Sequence, residues 1–511
     1  PLFGDSPVQT FDQIVLRAGH NDDTNPFIKD ELMRRLFIDT GQVGSHGMFG
    51  TLFVNGQYKG YYNPVERIEK NFCRAWHGGS ENWDVLAQGG DPLDGDAVEW
   101  NALRSFITSR NFAVPDNYLS VARRFDLVNF IDYLLVNIYG ANGDWPHNNW
   151  RAARERAPDG TLRFYIWDAE FALGTYGRAV THNTFTEELN GTSEIASFYR
   201  ALRASPEFKL LFADRIQKHF FNNGALTDAN VTNHFLALRK TMSGVIPSMD
   251  SSILTVWVPR RRGAIMTHFN SAGLLASSNA PAFNRHGGRV PQGFVLSMSA
   301  TNGTIYYTTN GLDPRVPFAG AVALGARTYT SNQPVQLSRS VLVKARTLKG
   351  TNWSALAAAA FQVAELGPPL RITEIMYNPP GGDAYEFIEL QNVGTIAWDL
   401  SGMSFEGIDF TFAENTTLAA GAVLVLGSKN DPGAFLLRYP TVKVAGQFGG
   451  SLSNGGERVA LKDRQGVIVM SVDYDDAGGW PMGADGAGYS LEIIDPGADP
   501  DDPANWRASS R

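Results

Sequence analysis

The sequence contains a single cysteine, Cys73, among its 511 residues. One thiol cannot form an intrachain disulfide, so a disulfide framework is excluded, and so is a cysteine-rich zinc site. No run of apolar residues approaches the ~18 that a membrane-spanning helix needs, so we expect no membrane span. The basic residues are scattered and the formal net charge is −8. This charge distribution argues against nucleic acid as a partner.

Signatures of several enzyme classes are also missing. The chain has no G-x-S-x-G of a serine hydrolase, no H-E-x-x-H of a zinc protease and no G-x-x-x-x-G-K-[ST] of a P-loop nucleotide-binding protein. The length of 511 residues predicts roughly three domains at ~150 residues each.

Composition divides the chain into a helical first half and a β-rich second half. Helical periodicity ends near residue 270, and Asn270 to Pro281 has the composition of a linker. Short β-rich runs then predict two immunoglobulin-like β-sandwiches, over residues 281–365 and 369–495. Residues 496–511 are acidic and proline-rich, and we expect an extended tail. The predicted fold is multidomain, with an α+β domain over residues 1–270 before the sandwiches.

Within the first domain, the residues from Asn25 to Thr40 predict a helix with Asn25 as N-cap and Pro26 at its first position. Two β-rich runs joined by Asn55-Gly56 predict a hairpin, because both residues tolerate positive φ. The glycine- and aspartate-rich stretch from Gly78 to Asp96 predicts a solvated loop. The basic run Arg260 to Arg262 predicts a solvated helix face.

The stretch GANGDWPHNNW, followed by RFYIWDAEFALG, carries the candidate chemistry. Asp144 lies in a polar loop, Asn148 and Asn149 follow it, and a β-like run then delivers Asp168. A loop carboxylate, an amide five residues later and a carboxylate just past a strand is the layout of a kinase catalytic loop. A solvated Asn/Asp turn before a buried strand is the alternative, since such turns are common.

The motifs FVNGQYKGYYNPVERIEKNF, NFIDYLLVNIYGANGDWPHNNW and RFYIWDAEFALG resemble the CotH family of atypical kinases. The resemblance implies a kinase-like fold, use of ATP and a divalent metal, and a protein substrate. It implies that Asp144 is the catalytic-loop aspartate. Asn149 and Asp168 would hold Mg²⁺ or Mn²⁺, with Asn148 able to exchange roles with Asn149.

Three further residues are predicted cofactor contacts. The resemblance and the order of elements place Glu66 and Ile68 at the hinge, where backbone groups would meet the nucleotide base. Glu31 is the candidate for the helix glutamate that pairs with a phosphate-binding lysine. The nucleotide-covering strands and that lysine have no counterpart in the sequence, so we expect a kinase-like domain without its N-terminal part.

The later motifs point to accessory domains. GTIYYTTNGLDPRVP with LVKARTLKGTNWS resembles the C-terminal sandwich of chitobiases and hexosaminidases, and LRITEIMYNPPGGDAYEFIELQNVGT resembles the lamin-tail domain. The second resemblance, with the high glycine and tryptophan content, favours a secreted or cell-surface bacterial protein.

Three hypotheses follow for function. The first is a secreted or surface kinase that transfers phosphate from ATP to a protein hydroxyl. The second is a non-catalytic, pseudokinase-like scaffold that binds a surface glycan or a protein. The third is a glycoside hydrolase with Asp144 and either Asp168 or Glu170 as its acid/base pair, separated by about 5–10 Å. The helix order and the paired asparagines favour the kinase over the hydrolase.

Overall fold

A computed structural model gives the structure for residues 2–4, 6–8, 11, 13–18, 27–175, 178–245, 250–363 and 369–510. The chain forms two units, residues 1–364 and 365–511. Within the described residues, no helix is both long enough and apolar enough to cross a bilayer.

The first unit begins with an α+β domain. Its helices are α1 Lys29–Asp39, α2 Lys70–His77, α3 Val98–Ser109, α4 Pro115–Ala122, α5 Leu127–Gly140, α6 Thr184–Glu187, α7 Glu194–Leu202, α8 Pro206–Phe220, α9 Asp228–Met242 and α10 Val258–Ser271. Its strands are β1 Ile14–Arg17, β2 Gly50–Val54, β3 Gln57–Glu66, β4 Trp83–Ala87, β5 Pro92–Asp94, β6 Trp150–Glu155 and β7 Arg163–Ile166.

Two small sheets organise this domain. One has the strand order β1-β3-β2, and the other has the order β5-β4-β6-β7. Asn55 and Gly56 adopt φ values of 53° and 77° in the turn between β2 and β3, which confirms the predicted hairpin. Helix α5 is buried along nearly its whole length, and its N-cap Asp126 accepts the N–H of Asn129 as predicted. Burial on all sides fixes the end of α5, from which the candidate loop departs.

Three expectations for this domain were wrong or incomplete. Helix α1 begins at Lys29, three residues after the Pro26 expected at its first position, and the predicted Asn25 cap lies outside the described residues. The stretch predicted as a solvated loop contains the fully buried strand β4, which pairs with β6. Strand β1 precedes α1 and was not predicted, although it pairs with β3 over four residues.

The β-sandwich of the first unit contains β8 Ala282–Phe283, β9 Gly288–Val290, β10 Phe294–Leu296, β11 Met298–Ser299, β12 Thr304–Thr308, β13 Arg327–Thr328, β14 Val335–Leu337, β15 Val341–Lys349, β16 Asn352–Trp353 and β17 Ala357–Val363. Its largest sheet has the order β13-β12-β15-β17-β9. Strand β17 alternates buried and exposed residues, as expected of a sheet with one face on a core.

Ion pairs join this sandwich to helix α8. The buried guanidinium of Arg346 on β15 bonds both carboxylate oxygens of Asp214 on α8, at 2.7 and 2.6 Å, and it also bonds Asp313. Arg315 bonds Glu207 at the start of the same helix, with 2.8 Å between Nη1 and Oε2. The sandwich is therefore fixed to the helical domain by charged groups that belong to both.

The second unit is a separate sandwich. It contains β18 Leu370–Met376, β19 Phe387–Asn392, β20 Trp398–Asp399, β21 Ser404–Glu406, β22 Thr417–Leu418, β23 Val423–Ser428, α11 Pro432–Arg438, β24 Val444–Phe448, β25 Glu457–Lys462, β26 Ile468–Tyr474, β27 Leu491–Ile493 and β28 Trp506–Ala508. Strand β28 pairs with β27, so the tail that we expected to be extended ends in a strand of this domain. The multidomain fold with an α+β domain before two sandwiches is confirmed.

Candidate functional site

The loop after α5 is tied to the segment that follows β7. Helix α5 ends at Gly140, and its C-cap Ala141 has a φ of 46°. The N–H of Gly143 then donates to the carbonyl of Phe171 at 3.1 Å, and the N–H of Leu173 donates to the carbonyl of Gly140 at 2.7 Å. The first bond joins the residue before Asp144 to the residue three positions after Asp168, and the second joins the end of α5 to the same segment. They are the direct evidence that the two predicted loops are neighbours.

Asp144 is surrounded by the side chains that the sequence places next to it. The amide nitrogen of Asn149 donates to its Oδ2 at 3.1 Å, and that of Asn148 donates to Oδ1 at 3.3 Å. His147 Nε2 lies 3.1 Å from Oδ1, and the Asp144 side chain is still 30% exposed. Each carboxylate oxygen thus accepts one amide N–H, and the side chain stays partly open to solvent.

The hairpin of β6 and β7 places Asp168 beside this loop. Trp150 is opposite Ile166 at the end of the antiparallel pair. Asn149 therefore precedes one strand at the same end at which Asp168 follows the other, and neighbouring strands lie ~5 Å apart. Asn149 and Asp168 both adopt a φ of 56°, which few non-glycine residues do. Such conformations recur at functional sites.

Arg17 on β1 connects Asp168 to helix α1. Its Nη2 is hydrogen-bonded to Asp168 Oδ1, and its Nε lies 2.8 Å from Asp30 Oδ2 in the first turn of α1. The other oxygen of Asp30 accepts the N–H of Ala169, the residue after Asp168, at 2.8 Å. Arg17 on β1 therefore links Asp30 on α1 to Asp168, which follows β7. These three residues form one bonded chain.

The charges in this chain stabilise one another. Burial would raise the pKa of the Asp30 carboxyl, but Arg17 and Arg34 outweigh it and hold that pKa below its usual value. Burial likewise opposes the charge on Arg17, yet Asp30 and Asp168 together raise its pKa. Both groups are ionised at neutral pH.

A second arginine lies near Asp168. The Arg151 guanidinium is 4.4 Å from the centre of the Trp167 ring, and the Arg17 guanidinium is 5.8 Å from the centre of the same ring. Burial lowers the pKa of Arg151 to about 10, with Asp168 acting in the opposite direction. Two cations that remain charged at neutral pH thus flank the tryptophan before Asp168, where an anionic group could bind both.

Glu31 is engaged elsewhere. Its carboxylate pairs with Arg34 at 2.7 Å and with Arg35 at 2.8 Å, both on its own helix. The position that we predicted for Glu31, facing a strand cation, is held by the neighbouring Asp30. Consecutive residues of a helix point in different directions, and the sequence alone did not show which of Asp30 and Glu31 would face the strand cation.

The predicted hinge residues lie at the end of β3. Glu66 is buried, and its side chain accepts the N–H of His46 at 2.8 Å and contacts the Ser6 hydroxyl. Its backbone N–H donates to the His46 carbonyl, and its carbonyl accepts the Ser45 hydroxyl at 2.6 Å. Ile68 is buried in an apolar cluster. A nucleotide base bonded to the Glu66 backbone would have to replace these contacts.

The donor atoms suit a hard divalent cation that is only partly held by protein. Asp168 offers carboxylate oxygen, and Asn149 uses its amide nitrogen on Asp144, so its carbonyl oxygen is the atom available to a cation. Within the described residues, no group of three or more His, Cys, Asp or Glu side chains is arranged to hold a metal ion. Mg²⁺ is commonly bound by one or two protein oxygens plus substrate phosphates, and the residues present fit that pattern.

The roles of Arg17, Asp30 and Arg151 at the site were not predicted from the sequence. The apolar run Ile14 to Leu16 before Arg17 is a strand signal too short to stand out, and the partners of Arg17 lie 13 and 151 residues away. The prediction of a solvated helix face for Arg260 to Arg262 was wrong at Arg261. This residue is fully buried, and it donates to the carbonyls of Ile138, Tyr139, Val180 and His182 at 2.5–2.9 Å.

Comparison with known families covers most of the chain. Residues 2–254 match the family model described as CotH kinase protein, residues 294–361 match Fn3 associated, and residues 364–476 match Lamin Tail Domain. The segment that resembles the chitobiase sandwich is thus the one that matches the Fn3-associated model. A search of curated proteins finds no match. The chain therefore carries a domain of the CotH kinase family, followed by an Fn3-associated domain and a lamin tail domain.

Proposed function

We propose that the CotH domain transfers the γ-phosphate of ATP to a protein hydroxyl. The observation that carries this proposal is the bonded chain Asp30–Arg17–Asp168, in which Arg17 bonds both carboxylates. A strand cation paired with a helix carboxylate, next to a post-strand aspartate, is the arrangement that kinases use to position phosphates.

Asp144 is the proposed general base. Its contacts with Asn148 and Asn149 fix its orientation, and its partial exposure lets an acceptor hydroxyl approach. A positioned carboxylate that accepts the hydroxyl proton contributes typically 10²–10⁴-fold to the rate.

The phosphate contacts are assigned to the two arginines. Arg17 and Arg151 present planar guanidinium groups that can bond two phosphate oxygens each. Asp168 and the Asn149 carbonyl are the proposed ligands of Mg²⁺ or Mn²⁺. A divalent cation bound there would neutralise charge on the phosphates.

Transfer from γ-labelled ATP tests the proposal. The intact chain, with Mg²⁺ or Mn²⁺, should label itself or a generic acceptor such as dephosphorylated casein. Asp144→Ala should reduce the rate about 100-fold or more. Asp159→Ala, which removes an exposed carboxylate from the turn between β6 and β7, is the matched control and should leave the rate unchanged.

A non-catalytic scaffold is the second candidate. It is favoured by the Arg17 bond to Asp168, since a cation would have to share or displace that partner. Saturable binding of Mg·ATP without any transfer, or no binding at all, would support the scaffold over the kinase. We also propose export or surface location, and fractionation of source cells with an antibody to the chain tests it.

A further inference from the structure

A cleft separates helix α8 from the Fn3-associated sandwich. Two adjoining cavities of about 390 and 430 Å³ make up this interdomain cleft, and both are lined by Gln217, Asn222 and His286. The ion pairs of Arg346 and Arg315 fix the two walls in place. The cleft is therefore a feature of one folded unit, and its volume is that of a small-molecule site.

The charged side chains that line the cleft include more cations than their ion pairs neutralise. Asp214 is neutralised by Arg346, and Arg215 pairs with Asp132 at 2.6 Å. Lys218 on α8 and Lys344 on β15 also line the cleft. Lys218 Nζ donates to the Thr40 carbonyl at 3.4 Å, and neither ammonium group forms an ion pair within the described residues. A ligand that complements this cleft therefore carries one negative group for Lys218 on α8 and another for Lys344 on β15.

The uncharged polar groups of the cleft can form hydrogen bonds with hydroxyl groups of a ligand. The amides of Gln217 and Asn222 each offer a donor and an acceptor. Ser278 lines the cleft, is 5% exposed, and its hydroxyl has no hydrogen-bond partner among the residues that the structure describes. Buried polar groups are normally satisfied, so this hydroxyl indicates a missing partner.

Apolar surfaces also line the cleft. Phe283 and His286, whose rings stack at 5.5 Å between centroids, lie along one wall. The exposed alanines of β17 lie along the other, where the strand pairs with β15 over Ala357–Phe361 and with β9 over Phe361–Val363. Rings beside amides and an unpartnered hydroxyl complement a sugar, which carries hydroxyls on an apolar ring.

We propose that the interdomain cleft binds an acidic oligosaccharide. Lys218 and Lys344 bind carboxylate groups of the sugar, and Gln217, Asn222 and Ser278 bind its hydroxyls. The cleft shares no residue with the Asp144–Asp168 site, so this binding is independent of phosphate transfer.

Calorimetric titration of the full chain with tetragalacturonate tests the proposal. Saturable binding is expected, and Lys344→Glu should weaken it by about tenfold or more, which is about 1.4 kcal/mol. Lys349→Glu makes the same charge change at an exposed position of the same strand and should leave the affinity within about twofold. Asn222→Gly removes the amide while tolerating the φ of 55° at this position, and should also weaken binding.

Several results would overturn the assignment. They are no saturable binding by the unaltered chain, equal affinities of the Lys344→Glu and Lys349→Glu variants, or equal affinity for neutral cellotetraose. Tighter binding of tetraglutamate at the same residues would assign the cleft to acidic peptides instead. None of these outcomes alters the labelled-ATP result, so the two proposals fail separately.

Discussion

Arg261 connects the end of α5 to the segment after Asp168, and among the residues that the structure describes it has no carboxylate ion-pair partner. Its guanidinium donates to two carbonyls at the end of α5, Ile138 and Tyr139, and to Val180 and His182. Burial lowers its pKa to about 10, so it remains charged at neutral pH. This positive charge at the C-terminal end of α5 also interacts favourably with the helix dipole.

Replacing Arg261 by Met should destabilise the first unit by about 3–5 kcal/mol, because four carbonyls lose their donor. Arg260→Met, one residue away on the exposed face, should change the free energy of unfolding by no more than about 0.5 kcal/mol. Urea denaturation of both variants measures the difference. Similar values for the two would show that the buried bonds contribute little.

His77 makes the stability pH-dependent. Burial lowers its pKa to about 4, with Arg163 acting in the same direction, and its Nε2 lies 2.9 Å from the Tyr165 hydroxyl. An unfolded histidine takes up a proton near pH 6.5. Above that pH both states are neutral, and below it the unfolded state alone gains the proton until pH 4.

Stability should therefore fall by up to about 2 kcal/mol from His77 between pH 7 and pH 5. In His77→Gln this part of the pH dependence should disappear, as urea denaturation at both pH values can show. An unchanged slope in His77→Gln would contradict the assignment.

At the scale of elements, hairpins and capped helices were predicted well because their signals are local. The Asn55-Gly56 turn and the Asp126 cap need only adjacent residues. Strand β4 was missed because its partner β6 lies about 70 residues away and its flanks are rich in glycine and aspartate. The contacts of Asp144 were predictable because its amide partners are within five residues, whereas the bond of Arg17 spans 151.

The junction of α8 with β15 gives an element-scale prediction. Arg346→Met leaves Asp214 and Asp313 without their counter-charge, which should cost about 3–5 kcal/mol. The loss should also separate the unfolding of the sandwich from that of the helical domain, visible as an added transition in calorimetry. Lys349→Met, at an exposed end of the same strand, should leave the calorimetric trace unchanged. A trace for Arg346→Met that matches the trace of the unaltered chain would show that the ion pairs do not couple the domains.

At the scale of the whole molecule, the domain order followed from the change in periodicity near residue 270 and from motif resemblance. The site did not follow completely, because its arginines come from β1 and β6 and meet Asp168 only in the folded chain. The central claim is that these groups together bind the phosphates of ATP.

Calorimetric titration with Mg·ATP tests that claim without knowledge of the acceptor. The intact chain should bind saturably, and Asp168→Asn should weaken binding by about tenfold or more, or about 1.4 kcal/mol. Asp144→Asn should keep the affinity within about threefold, because Asp144 acts on the acceptor and not on ATP. Asp159→Asn is the control and should match the unaltered chain. Absence of binding by the unaltered chain, or equal affinity in Asp168→Asn, would contradict the account.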